Sequence, residues 1–326
     1  MMTETPYKDF DSLFGQIIAL YTEGNYAQAV NLATAGIAQL PQNARFLRLV
    51  RSMIQVRSGK HDAGLDELRD LIEGGYWLGD YFWRDSDYDA VRDLPEFKRL
   101  QQLSNERLDA AKGRTTPELV TFVPDDSADP KPMLFALHGN GSNVFWHQDH
   151  WQPATANGWI VAMPQSSQLA GMDSHDNFAY SWDDEDIVDQ EIETHLAALT
   201  ANYPIDPARV VVGGFSRGAE TAIRLVLTGK VAAQGFIAVC PGGPYSREPE
   251  LWQPVVEAAK EAKRDVRGYV IIGGQDQFED ETDQLIAMLH EAGIPCEREF
   301  HADMGHDYPA DFKARVGELV KSVLGK

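Results

Sequence analysis

The sequence has little cysteine, little positive charge and no long apolar run. Its 326 residues include two cysteines, Cys240 and Cys296, both in strand-like surroundings. That excludes a disulfide framework or a cysteine metal cluster and leaves two core thiols. Lysine and arginine number 29 against 50 acidic residues, a formal net charge of −21. Such a surface repels nucleic acid and anionic membranes, which excludes both as partners. No stretch approaches membrane-spanning length, and Met1–Thr5 carries neither a basic segment nor an apolar one of leader type. The expectation is a cytoplasmic protein, with enough apolar residues, 43%, to bury a sizeable core.

The first third also lacks strand patterns. Residues 1–113 read as entirely helical, and residues 114–326 as a separate domain that alternates strands and helices. In the first part, Gly24-Asn25-Tyr26-Ala27-Gln28-Ala29-Val30, with Leu32, Ile37 and Pro41, resembles the turn and second helix of a tetratricopeptide repeat. A weaker echo begins at Gly59, 35 residues later, close to the repeat period of about 34 residues. Its Gly64 stands where a small alanine is expected. The aromatics that follow, among them Tyr76, Trp77, Phe82, Trp83, Tyr88 and Phe97, are expected to cap the helical core rather than to form a peptide groove. Lys98–Lys112 continues as a polar helix, and Gly113–Pro117 reads as a linker.

Beyond the linker, strands are expected at Leu119–Val123, Met133–Leu137, Trp159–Met163, Val210–Val212, Phe236–Cys240, Tyr269–Ile272 and Cys296–Phe300, with a polar turn over Asp125–Pro130. Helical stretches lie between them, and the pattern implies a mostly parallel sheet with helices on both faces. The domain is organised around Val210-Val211-Val212-Gly213-Gly214-Phe215-Ser216-Arg217-Gly218. An apolar strand runs into Gly-x-Ser-x-Gly and then into helical spacing. A serine held on such a strained turn projects its hydroxyl above a sheet.

A serine hydroxyl attacks only if a base takes its proton. His306, in Gly305-His306-Asp307-Tyr308-Pro309, lies after the last strand and is the candidate base. His301 is the rival, but it ends the strand itself, and His138 is expected to position its own turn. Asp276 follows the strand at Tyr269–Ile272 and is the candidate to orient His306; Asp280 and Asp283 would instead begin the next helix. His138-Gly139-Asn140-Gly141 ends another strand with backbone donors to spare. The N–H of Asn140 or Gly141, with that of Arg217, would hold a developing oxyanion. Trp182 and His147 are candidate pocket residues. His147 and His150, three apart, have no further ligand set, so no metal site is expected. Arg217 would either meet an acidic substrate group or form a surface salt bridge.

These motifs, over about residues 117–326, together resemble the α/β-hydrolase superfamily. More narrowly, they are similar to esterases of the phospholipase/carboxylesterase and depolymerase type. The resemblance implies hydrolysis of a carboxylic ester or thioester through an acyl-enzyme on Ser216, without metal or organic cofactor, on a small-molecule substrate. The helical domain is a departure from that family, and it would offer a surface for a protein partner or self-association. Two alternatives stay open: a non-catalytic helical-repeat binding protein on a hydrolase scaffold, and a serine peptidase of the same fold.

Overall fold

A computed structural model describes residues 10–115, 117–125, 130–175 and 177–325. Met1–Thr5 and the middle of the polar turn, Asp126–Asp129, lie outside the described residues. The chain divides into two compact units. One holds the residues up to Thr115 together with Leu169–Ala179, and the other holds the rest.

The first unit is built from α1 (Phe10–Thr22), α2 (Tyr26–Gln39), α3 (Ala44–Arg57), α4 (His61–Glu73), the short α5 (Asp80–Trp83) and α6 (Pro95–Lys112). Successive members of α1 to α4 pack on one another. Leu47, Val50 and Ile54 recur at helical spacing on α3 and meet Leu13 and Ile17 of α1 and Ala29 and Ala33 of α2 in one buried cluster. A second cluster gathers Leu49, Val56, Leu65 and Leu68 with Tyr76, Trp83, Tyr88 and Phe97, so these aromatics are core residues. Gly64 has a packing reason. A Cβ there would lie 2.5 Å from Val56 Cγ2 and 2.9 Å from the Ser52 carbonyl oxygen, so α3 and α4 approach more closely than alanine permits.

The strands are β1 (Glu118–Phe122), β2 (Lys131–Leu137), β3 (Ile160–Gln165), β4 (Leu169–Met172), β5 (Phe178–Tyr180), β6 (Ile205–Phe215), β7 (Gly235–Val239), β8 (Arg267–Gly273) and β9 (Cys296–His301). Seven form one sheet in the order β1-β3-β2-β6-β7-β8-β9. β1 runs antiparallel to β3, and every other pairing is parallel. Between the strands come α7 (Val144–Trp151), α8 (Glu185–Asn202), α9 (Arg217–Thr228), α10 (Pro244–Arg247), α11 (Trp252–Glu261), α12 (Glu279–Glu291) and α13 (Phe312–Val323). The period of two along a strand sorts side chains to opposite faces. Met133, Phe135, Leu137, Val210 and Val212 join α8, α9, α11 and α12 in one core cluster. Leu134, Ala136, Val211, Ile237 and Val239 join α7 and α13 in the other. Helices therefore cover both faces, as the alternating pattern predicts.

Two differences from the sequence reading stand out. β4 and β5 pair as a separate two-stranded sheet, and most of that hairpin belongs to the first unit. A Cβ on Gly79 would sit 2.0 Å from the Ala170 carbonyl oxygen, Asn43 Nδ2 donates to the Ser174 carbonyl at 3.1 Å, and Trp77 packs on Phe178. Three- and four-residue strands carry no legible periodicity, which is why the hairpin is silent in the sequence. Cys240, expected to end a strand, lies just past β7 with φ 45°. Among the described residues no helix is long and apolar enough to cross a membrane.

Candidate active site

The chain order places β3 on one side of β2 and β6 on the other. The sheet therefore reverses its direction of growth at β2/β6, where the C-terminal strand ends open a crevice. Leu137 ends β2 opposite Gly214 of β6, and Phe215 ends β6 opposite Val239 of β7. Ser216 follows at once, and α9 begins at Arg217. Passing from strand to helix in one residue forces Ser216 to φ 54°, ψ −123°, a backbone state that non-glycine residues seldom adopt. The flanking glycines make it feasible. A Cβ on Gly214 would lie 2.3 Å from the Gly218 carbonyl oxygen, and one on Gly218 would lie 2.3 Å from that of His138.

His306 stands in the loop between β9 and α13. Its Nε2 is 2.8 Å from Ser216 Oγ, and its Nδ1 is 2.8 Å from Asp276 Oδ2. Asp276 follows β8, and its side chain is fully buried while that of His306 is 32% exposed. The carboxylate can only accept, so the proton sits on Nδ1 and Nε2 is free to take the serine proton. Burial pushes the Asp276 carboxyl up. The hydrogen bond and charge of His306, the Phe278 N–H and the Cys240 thiol outweigh that push and hold it below its ordinary value. The structure thus brings Ser216, His306 and Asp276 together. It does not bring His301, which pairs with Glu299 on its own strand. Asp280 lies in the first turn of α12, and Asp283 pairs with Arg298.

The backbone donors need one correction. The Arg217 N–H, at the start of α9, has no helical acceptor, and neither it nor the Asn140 N–H has a backbone partner among the described residues. The Gly141 N–H, expected as an alternative donor, instead gives its hydrogen bond to the Tyr180 carbonyl at 3.0 Å. A backbone bridge between Ser142 and Tyr180 draws it away, which leaves Asn140 and Arg217 as the candidate donors among the described residues.

The two candidate pocket residues lie behind this surface. Trp182 is 1% exposed, and its Nε1–H donates to the His138 carbonyl at 2.9 Å. His147 is buried too. Its Nε2 accepts from the Gly139 N–H at 3.2 Å and lies 3.0 Å from Ser142 Oγ. Its Nδ1 is therefore the donor to the Tyr308 hydroxyl at 2.9 Å, which also receives Trp151 Nε1–H at 2.9 Å. Burial drives His147 well below its ordinary value and His138 down to about 4, so both are neutral. Arg217 reaches one exposed acid, its Nε lying 3.8 Å from Asp183 Oδ1, but it is not a surface group. Its guanidinium is buried, with Nη1 on Glu220 Oε2 and Nη2 on the Trp182 carbonyl, each at 3.0 Å. Glu220 is one helical turn from Arg217, but the ties of Trp182 to His138 and Arg217, and of Tyr308 to His147 and Trp151, join residues far apart along the chain, and no local pattern marks them.

Cys240, Asp276 and His306 bring possible ligand atoms within 4.8 Å of one another. Asp276 and His306 are already bonded to each other, however, and burial with the Asp276 charge keeps the Cys240 thiol protonated. The arrangement suits proton transfer better than metal binding.

Residues 9–112 match the family model described as the A/B hydrolase-like, N-terminal domain. The chain is similar to a solved structure of an uncharacterized protein from Bacillus cereus ATCC 10987, with 24% identity and TM-score 0.53 over 96% of this chain and 98% of that one. It is also similar to esterase PE8, with 16% identity and TM-score 0.51 over 64% of this chain and all of that one. No curated protein matches it. The chain has the α/β-hydrolase fold, preceded by the helical N-terminal region.

Proposed function

We propose that this protein hydrolyses a carboxylic ester or thioester through an acyl-enzyme on Ser216. The observation that carries this reading is the continuous chain from Ser216 Oγ to His306 Nε2 and from His306 Nδ1 to Asp276, both links 2.8 Å long. In the first step Oγ forms a bond to the substrate carbonyl carbon while its proton passes to His306 Nε2. The carbonyl oxygen takes up negative charge and meets the Asn140 and Arg217 N–H groups, which have no backbone partner among the described residues and would stabilise the developing charge. Asp276 stabilises the imidazolium and fixes its orientation. Collapse of the adduct breaks the bond to the leaving alcohol or thiol, which departs with the proton from Nε2. A water then repeats the sequence on the acyl-enzyme, its proton going to His306, and Ser216 recovers its hydrogen as the acid leaves.

The residues ahead of this domain are proposed to be tetratricopeptide-like, on the strength of the Gly24–Pro41 pattern and the serial packing of α1 to α4.

The test is covalent labelling by a fluorophosphonate together with turnover of short-chain esters and thioesters. The wild-type protein is expected to label at Ser216, and Ser216→Ala to lose both labelling and about a millionfold in kcat while keeping its fold. A Ser216→Ala variant that turns over ester at the wild-type rate would end this proposal.

A further inference from the structure

The turn that supplies Asn140 is clamped at both ends by one three-residue stretch. At its far end the Gly141 N–H donates to the Tyr180 carbonyl at 3.0 Å, and the Tyr180 N–H donates to the Ser142 carbonyl at 2.7 Å. At its near end Trp182 Nε1–H donates to the His138 carbonyl at 2.9 Å, and the indole packs on the His138 ring at 4.6 Å between centroids. Asn140, between the clamps, has no backbone partner for its N–H among the described residues.

Trp182 also reaches the other donor. Its carbonyl accepts from Arg217 Nη2 at 3.0 Å, and Arg217 is the residue whose backbone N–H completes the pair. The guanidinium is held in turn by Glu220, whose second carboxylate oxygen accepts the Ser246 N–H at 2.6 Å. Glu220 is fully buried and Arg217 is 3% exposed. Arg217 Nε has no hydrogen-bond partner among the described residues, but both Nη groups and both Glu220 oxygens are bonded, and displacing any of them would leave a further desolvated group unpaired. The side-chain and main-chain ends of one residue thus tie the two donors together.

We propose that Trp182 is the positioning residue of the oxyanion hole, setting the distance between the Asn140 and Arg217 N–H groups without touching substrate. This rests on the serine-hydrolase reading above. Donors placed for a tetrahedral oxyanion act in the transition state more than in the ground state. Loosening their spacing should therefore lower kcat and leave KM almost unchanged.

The experiment compares Trp182→Phe, which keeps the ring and loses the indole N–H, with Trp159→Phe. Trp159 is also buried, but it packs in the cluster on the opposite face of the sheet. With a p-nitrophenyl ester, Trp182→Phe is expected to lose about tenfold in kcat, short of the 10²–10³ for deleting a whole donor. KM should change by less than about twofold, and affinity for a trifluoromethyl ketone, which mimics the tetrahedral adduct, should fall in proportion to kcat. Trp159→Phe should retain both. Equal losses in the two variants, or a Trp182→Phe enzyme with wild-type kcat and inhibitor affinity, would overturn the proposal. If Trp182→Phe does not accumulate as folded protein, Arg217→Lys takes its place. It keeps the charge beside Glu220 but cannot hold Glu220 and the Trp182 carbonyl from one planar fork, and the same split between kcat and KM is expected. A wild-type protein that a fluorophosphonate does not label would defeat the serine-hydrolase reading itself. A labelled wild type with an unaltered Trp182→Phe would defeat only the role of Trp182.

Discussion

The two sides of Ser216 are built in opposite ways. On one side stand His306 and Asp276, side chains delivered by loops after β9 and β8, with the imidazole partly open to solvent. On the other side the proposed working groups are backbone N–H donors. What fixes them is a set of buried side chains, Trp182, His138, His147, Arg217 and Glu220, none of which need meet the substrate. Where a side chain does the chemistry, its type is prescribed by the reaction. Where the backbone does it, the prescription passes to the residues that hold the backbone still, and many residue types can do that.

The largest effect that tests this contrast should come from Asp276→Asn. Asp276 Oδ1 accepts the Phe278 N–H, and an asparagine carbonyl would keep that bond. Its amide NH₂ would then face His306 Nδ1, force that nitrogen to accept, and put the proton on Nε2, where it cannot receive another from Ser216. A fall of about 10⁴ in kcat is expected, with the fold unchanged. Activity within tenfold of wild type, measured with the same p-nitrophenyl ester, would show that His306 does not depend on its carboxylate for orientation.

Acid should separate the two sides by stability rather than rate. Burial lowers His138 and His150 to about 4 and holds His147 well below its ordinary value. An unfolded histidine protonates near 6.5. Between those values the unfolded chain binds more protons than the folded one, so this stability is complete above about pH 6.5 and is lost as pH falls towards 4. For the fully buried His138 the loss is on the order of 3 kcal/mol. Asp276, held below its ordinary value, contributes stability above that value that disappears only at lower pH. Urea unfolding at pH 7, 5.5 and 4.5 should show the midpoint falling across the window of the buried histidines. A midpoint that stays level or rises would mean that these rings are not kept neutral by the fold.

The same contrast governs what could be read from the sequence. The sheet was legible because β-branched runs such as Val210–Val212 are rarely anything but buried strand. Ser216, Asp276 and His306 were nameable because proton transfer and nucleophilic attack admit few residue types, each at a strand end. The frame was not. Trp182 and His147 are aromatic and near the motifs, which suggested a pocket wall, yet their hydrogen bonds run to residues 44 and 161 positions away. The loss of the Gly141 donor depends on a bridge to Tyr180 that no local pattern announces. Arg217 looked like a surface charge until Glu220, one helical turn on, proved buried beside it. The hairpin of β4 and β5, which is too short for periodicity to register, needed the Gly79 contact to be seen as part of the first unit.

Cys240 lies on the side-chain half but resembles the buried frame, and replacing it should give the smallest effect. It stands directly behind Asp276, with Sγ 3.3 Å from the Asp307 carbonyl, in the loop that carries His306. If side-chain chemistry on that side rests only on Ser216, His306 and Asp276, then Cys240→Ala should cost about 1 kcal/mol of stability for the lost thiol contact. It should lower kcat by no more than about threefold, because Asp276 keeps both the Phe278 N–H and His306. Cys240→Gly removes the same thiol and also relieves the positive φ, so the two variants should match in kcat and differ only in their unfolding midpoints. A tenfold loss of kcat in both would show that turnover depends on the hold the thiol has on the Asp276 carboxylate. The histidine side of Ser216 would then depend on a buried frame, as is proposed for the oxyanion side.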